Sequence, residues 1–207
     1  MSNRIGLFGG SFDPIHFGHL ISVRSVAEAL QLSRIILIPS ARPPHKEGVP
    51  ITEAEHRMAM ARLAVEGDGL FEVSDLELHR AGPSYTLDTV EAFQRRLGDR
   101  AELFWIIGAD SLPELPTWHR IAELVQRVTI VTAARPGWQR PSVKLLAEAV
   151  GDQNARALLS NCCNTPRIDI SATDIRARVA AGRPIRYFTA EKVASYIQQQ
   201  HLYLSGK

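Results

Sequence analysis

The sequence predicts an α/β protein, a Rossmann-like parallel sheet flanked by helices with a small C-terminal helical portion. Short apolar runs alternate with stretches whose apolar residues recur at helical spacing. Polar motifs follow those runs directly, where open parallel sheets bind their ligands. The alternation stops near Ile170, after which two helical stretches close the chain. With 207 residues, 45% of them hydrophobic, there is material for one well-packed core. The expected organisation is a single domain over 1–207, with its core in 1–170 and the helical portion in 171–207.

Arg4-Ile5-Gly6-Leu7-Phe8 reads as the first buried strand, and Leu20, Val23, Ala27 and Leu30 form the apolar stripe of a helix ending near Gln31. Arg34 to Pro39 (RIILIP) is a second buried strand. Thr52-x-x-Glu55 has the form of a capping box opening a helix that runs through Val65. Phe71 to Leu78 nearly alternates apolar and polar residues, as a half-buried strand does, and Thr86 to Leu97 predicts a helix closed by Gly98. Leu103 to Ile107 and Val128 to Val131 are further strands, separated by a helical stretch around His119 to Gln126. Arg167-Ile168-Asp169-Ile170 reads as the last strand, followed by helices over Thr173–Ala181 and Ala190–Gln200. The segment from Gly137 to Thr165 reads as one or two helices and carries no chemical motif.

Between the first strand and its helix lies Gly9 to His19, GGSFDPIHFGH. The first amides of a helix lack internal partners and carry partial positive charge, so this junction suits an anion such as phosphate. Glycines let the backbone approach a ligand closely, and Pro14 stiffens the loop. The sequence contains no GxxxxGK[ST], and no GxGxxG follows the strand, which excludes a P-loop and a dinucleotide fingerprint.

Composition narrows the classes further. Net charge is +2, from 24 basic and 22 acidic residues, too balanced for a nonspecific nucleic-acid binder. Cys162 and Cys163 are adjacent and have no CxxC partner, so neither a disulfide framework nor a zinc knuckle is expected. No stretch reaches the length of a membrane span, and the N-terminus enters a strand directly; a cytoplasmic protein without membrane or nucleic-acid partners is expected.

Five polar motifs follow predicted strands and should converge on one edge of the sheet: the histidine loop, Pro43-Pro44-His45-Lys46, Gly108-Ala109-Asp110, Arg135-Pro136-Gly137, and Ser171-Ala172-Thr173-Asp174-Ile175-Arg176. Gly10-Ser11-Phe12-Asp13-Pro14 with His16-x-x-His19, together with Ile170-Ser171-x-Thr173-x-x-Arg176, resembles the HxGH nucleotidyltransferase superfamily. Within it, Pro43-Pro44-His45-Lys46, Ser84-Tyr85-Thr86-x-Asp88-Thr89, Gly108-x-Asp110 and Leu115-x-x-Trp118 are similar to the bacterial nicotinate mononucleotide adenylyltransferases. The match spans nearly the whole chain. Two departures lie outside the main motifs: Ala190 where many members have proline, and Ser40 where some carry asparagine.

The resemblance implies transfer of AMP from ATP to nicotinate mononucleotide, with release of pyrophosphate, by in-line attack without a covalent enzyme intermediate. Mg2+ is expected to arrive with ATP, with no residue assigned as a metal ligand, and the enzyme to be a monomer or homodimer. Because the attacking group is already a phosphate anion, no general base is needed, and the site's work is alignment and charge stabilisation. His16 and His19 then act as hydrogen-bond donors to the triphosphate, with Lys46 and Arg176 as further catalytic cations. Loss of one such donor costs about 3 kcal/mol, on the order of a hundredfold in rate.

ATP contacts are expected from Gly9, Gly10, Ser11, Phe12, Gly18, Gly108, Asp110, Ser171 and Thr173. Contacts to the nicotinate nucleotide are expected from His45, Lys46, Tyr85, Thr86, Trp118, His119 and Arg135, with the carboxylate held largely by backbone amides near Thr86 and His119. Several residues read two ways. Ser171, Thr173 and Arg176 form either a second phosphate cradle or a helix cap with a surface arginine. Asp110 contacts a ribose, helps to position the metal, or caps a helix. Trp118 stacks on the pyridine or packs in the core, and Arg135 alone after a strand is a weak signal. Two other classes compete with the first reading: a transferase for phosphopantetheine or CDP-linked products, and a noncatalytic nucleotide sensor. The first tends to be shorter with threonine at the position of His16, or to carry another C-terminal signature; a sensor would have lost a histidine or the final arginine.

Overall fold

The computed structural model describes residues 3–44, 48, 50–98, 100–134 and 137–204. Its six-stranded sheet consists of β1 (Arg4–Gly10), β2 (Arg34–Pro39), β3 (Phe71–Val73), β4 (Glu102–Gly108), β5 (Thr129–Ala134) and β6 (Cys162–Asn164). The strands lie in the order β3-β2-β1-β4-β5-β6, and every neighbouring pair is parallel. Chain order reverses between β1 and β4, which opens a crevice at their carboxyl ends.

Both faces of the sheet are covered, so its central strands read as continuous apolar runs while their side chains still alternate between two cores. One face carries Ile5, Leu7, Ile36, Ile38, Trp105 and Ile107 against α3 (Thr86–Leu97), the 3-10 helix Ala109–Thr117, α4 (Ile121–Arg127), α5 (Val143–Val150) and α6 (Asp152–Ser160). The other presents Ile35, Leu37, Phe104, Ile106 and Val131 to α1 (Phe17–Leu30), α2 (Ala54–Ala64), α7 (Ala172–Ala180) and α8 (Glu191–Gln199). From the last helices, Ile175, Val193 and Ile197 join the same cluster as Val23 of α1. Gly9 has a packing reason, since a Cβ there would stand 2.8 Å from the Trp105 ring.

Three sequence expectations need correction. Arg167–Ile170 is not a strand; β6 ends at Asn164 after pairing Cys162, Cys163 and Asn164 with Thr132, Ala133 and Ala134 of β5. The Thr165 amide still donates to Ala134 O, but Pro166 follows with no N–H to continue the ladder. Phe71–Leu78 is a strand only over Phe71–Val73, because the chain turns after Ser74. Thr52 does not cap α2: Glu53 is the N-cap without a side-chain cap bond, and Thr52 spends its backbone groups on Asp13 and Arg57. Between Gly137 and Thr165 both helices form, and β6 follows them. Among the described residues no helix is long and apolar enough to cross a membrane.

Candidate active site

The histidine loop leaves β1 and turns at Phe12, which takes a left-handed φ of 47° while its ring is 1% exposed in the core. Such a conformation holds only where its surroundings fix it, and four links do so. Arg57 from α2 donates to Ser11 O at 2.8 Å, Ser40 O at 2.7 Å and Thr52 O at 2.7 Å. Asp13 accepts from the Tyr203 hydroxyl at 2.7 Å and from the Thr52 amide at 3.3 Å. Thr189 Oγ1 donates to Ile15 O at 2.8 Å, and Phe17 N donates to Phe188 O at 3.0 Å. The loop is therefore held by α2 and by the C-terminal segment together.

His16 is the N-cap of α1 and is buried, its ring stacked on His19 with centroids 3.6 Å apart. The His16 backbone N–H donates to His19 Nδ1 at 3.3 Å. With Nδ1 accepting, Nε2 is the ring nitrogen left to donate to a ligand. Phe12 meets His19 edge-on at 5.3 Å and restricts the ring further. Gly18 leaves room for this stack, since a Cβ there would lie 3.0 Å from the His16 ring and 3.2 Å from Ile170 O.

Two cavities open at the crevice and share Phe8, Ser11 and Gly108 in their walls. The smaller, about 280 Å³, brings Ser11, His16, Gly18, His19, Asp110 and Ser171 together. The N-terminus of α7 reaches it through Ser171 and Ala172. The Ser171 hydroxyl makes the cap, accepting from the Asp174 amide at 3.0 Å and donating to Asp174 Oδ2 at 2.7 Å. Arg176 and Thr173 do not line this cavity; Arg176 donates to Asp13 O at 2.7 Å and Thr173 Oγ1 at 3.3 Å. It thus joins the α7 motif to the histidine loop.

The larger cavity, about 600 Å³, is lined by Gly9, Gly10, Ser11, Gly108, Tyr85, Thr86, Trp118 and His119. The Tyr85 and His119 rings stack at 4.1 Å. Tyr85 is the N-cap of α3 but supplies no side-chain cap bond, and among the described residues the opening amides of α3 have no side-chain partner. Trp118 is half-buried: it packs against the apolar core and also borders the cavity, with its buried Nε1 unpaired among the described residues.

His45, Lys46 and Arg135 lie outside the described residues, although Pro43 and Pro44 line the larger cavity. Phe12 is placed with its ring in the core and lines neither cavity, so the structure does not bring it to the ligand as the sequence led one to expect. Sequence reasoning missed Arg57, Glu77 and Tyr203. Arg57 and Glu77 sit within amphipathic or polar stretches that read as surface, and Tyr203 lies in the tail, so only their burial marks them.

The chain matches the cytidylyltransferase-like family model over residues 7–178. It is 42% identical over 201 residues to a protein of Thermomicrobium roseum named a probable nicotinate-nucleotide adenylyltransferase, covering 97% of this chain and 92% of that one. A relative of the same name from Symbiobacterium thermophilum is 42% identical over 99% of this chain and 97% of its own. Among solved structures, the Plasmodium falciparum nicotinic acid mononucleotide adenylyltransferase complexed with NaAD superposes with a TM-score of 0.76 at 17% identity, over 97% of each chain. That last likeness concerns the fold.

Proposed function

The chain belongs to the cytidylyltransferase-like family, and from that premise we propose that it transfers AMP from ATP to nicotinate mononucleotide in NAD biosynthesis. The products are nicotinate adenine dinucleotide and pyrophosphate. We read 1–207 as one nucleotidyltransferase domain, acting in the cytoplasm where its nucleotide substrates are made. The observation that carries the proposal is the pair of adjoining cavities at the strand-order reversal, one flanked by the stacked histidines and the other by the uncapped start of α3.

The triphosphate occupies the smaller cavity. His19 donates from Nε2, and the helix starts at Gly18 of α1 and Ala172 of α7 add their partial positive charge. A phosphate oxygen of nicotinate mononucleotide attacks the α-phosphorus of ATP; the new P–O bond forms as the bond to the leaving pyrophosphate breaks, and no proton need be removed from the nucleophile. Donors fixed before the reaction stabilise the charge that builds on the phosphoryl oxygens. Arg176, outside the lining of that cavity, bonds Asp13 O and Thr173 Oγ1 and so ties α7 to the histidine loop beside the phosphates. Lys46 and His45, which follow β2 in the sequence, supply further donors on this reading.

The pyridine ring enters the larger cavity beside Trp118 and the Tyr85–His119 stack. Its carboxylate is held by the backbone amides around Thr86. Mg2+ carried by ATP would fit here: Asp110 lines the phosphate cavity and would offer one hard oxygen ligand, with phosphates and water supplying the remainder. When bound, Mg2+ neutralises charge on the leaving pyrophosphate.

The test is pyrophosphate release with ATP and magnesium, comparing nicotinate mononucleotide, nicotinamide mononucleotide and phosphopantetheine as acceptors. Turnover chiefly with the nicotinate compound is expected. Turnover with phosphopantetheine instead, or none with any acceptor despite ATP binding, would overturn the assignment.

A further inference from the structure

The wall of the larger cavity holds a carboxyl group that the reaction as described does not use. Glu77, in the turn after β3, is 3% exposed and lines the cavity that the acceptor is proposed to occupy. An acid side chain in a pocket meant for an anion needs a reason, because like charges close together in a low-dielectric site repel strongly. Its partners supply one.

Glu77 Oε1 accepts from Thr89 Oγ1 at 2.7 Å, a bond buried on both sides. The same hydroxyl reaches the carbonyl of Tyr85 at 3.2 Å. Arg80 closes the ring, donating through Nη1 to Thr89 Oγ1 at 2.9 Å and through Nη2 to Tyr85 O at 3.3 Å, while Nη2 lies 3.9 Å from Glu77 Oε1. All of these bonds converge on the first turn of α3, whose N-cap makes no side-chain cap of its own. Ser84, just before that turn, is tied to the loop after β2: its hydroxyl accepts from the Arg42 amide at 3.1 Å, and its amide donates to Arg42 O at 3.0 Å. Ser84 and the Ala41 backbone amide also lie close enough to the Glu77 carboxyl to favour its ionised form.

An uncapped helix start has its amides available for an anionic ligand but lacks the side chain that would hold the turn rigid. Here the rigidity comes from below. We infer that Glu77 is a positioning residue for the acceptor. Through Thr89 and Arg80 it fixes the opening turn of α3, so that the amides and the Tyr85 ring meet the acidic pyridine nucleotide in one geometry. The inference rests on the reading of this cavity as the acceptor pocket. It concerns binding of one substrate only, since none of these bonds touches the histidine loop or the smaller cavity.

The experiment compares steady-state kinetics and thermal unfolding of the wild-type chain with Glu77→Gln, Glu77→Ala and Thr89→Val. Glu77→Gln keeps an oxygen to accept from Thr89 and should change KM for nicotinate mononucleotide by no more than about threefold. Glu77→Ala and Thr89→Val break the ring and should raise that KM by about tenfold or more, leaving KM for ATP unchanged. Thr89→Val keeps its shape, so it decides the matter if the alanine variant does not fold. A folded Glu77→Ala or Thr89→Val variant with unchanged KM for the nicotinate compound would overturn the inference. So would KM values for both substrates rising together, or a Gln variant as impaired as the Ala variant. Failure of the wild-type chain to turn over nicotinate mononucleotide would instead overturn the assigned function.

Discussion

The Tyr203 hydroxyl donates to Asp13 Oδ1 at 2.7 Å, joining residues 190 apart in the chain. Asp13 is buried and sits in the loop that carries both histidines, and its backbone carbonyl accepts from Arg176. Burial, reinforced by the neighbouring Asp13 carboxylate, raises the pKa of the Tyr203 phenol and keeps it a donor. Tyr203→Phe leaves a buried carboxylate oxygen without that donor and should lower unfolding stability by about 1–3 kcal/mol in urea. An unchanged unfolding midpoint would show that the tether does not hold the loop in solution.

His19→Ala removes the Nε2 donor from the phosphate cavity and should reduce kcat on the order of a hundredfold, with circular dichroism unchanged. Gly18→Ala tests the same geometry without touching an imidazole. The added Cβ meets the His16 ring at 3.0 Å and a backbone oxygen at 3.2 Å, so the stacked pair must shift, although alanine suits a helix better than glycine. A loss of activity larger than any loss of stability is expected. Near-normal turnover in either variant would remove the histidine stack from the mechanism.

Arg57 is 1% exposed and satisfies the carbonyls of Ser11, Ser40 and Thr52 through one planar fork, with Ala41 O at 3.4 Å from Nη2. Arg57→Leu would leave those part-buried oxygens unpaired around a deleted buried charge, for an expected loss of about 3 kcal/mol. Arg57→Lys should rescue little of it, because an ammonium cannot span acceptors arranged for a guanidinium. Denaturant unfolding of both variants checks this; a lysine variant as stable as the wild type would show that charge alone suffices.

Burial raises the pKa of the Glu77 carboxyl above its ordinary 4.5, with Ser84, Thr89, Arg80 and the Ala41 amide pulling it back in part. A raised folded-state value means that the protonated form fits the fold better. The stability that Glu77 contributes is therefore complete below about 4.5 and is lost as pH rises through the folded value. Glu77→Gln cannot ionise, so its stability relative to the wild type should improve as pH rises from that range towards neutrality. Unfolding free energies at a series of pH values check the trend. A wild type that gains on the Gln variant with rising pH would mean that the Arg80 pairing outweighs burial.

The sequence by itself determined the α/β class, the parallel sheet and the position of the histidine loop, because these follow from local signals. Apolar spacing reports which face of a segment is buried, and glycines beside histidines after a strand mark a junction where backbone amides are available. Local pattern failed where pairing decides the outcome. Arg167–Ile170 alternates as a strand does, yet β5 pairs with Cys162–Asn164 first, and Pro166 ends the ladder. Thr52 has the spacing of a cap, yet its backbone groups are taken by Asp13 and Arg57.

Only the tertiary structure brought Arg57 beneath the loop, Tyr203 onto Asp13, and Glu77 under the first turn of α3. Each is a polar side chain whose neighbours along the chain allow it to be solvated. Its role arises when elements distant in sequence close around it, and desolvation then requires that every donor and acceptor find a partner there.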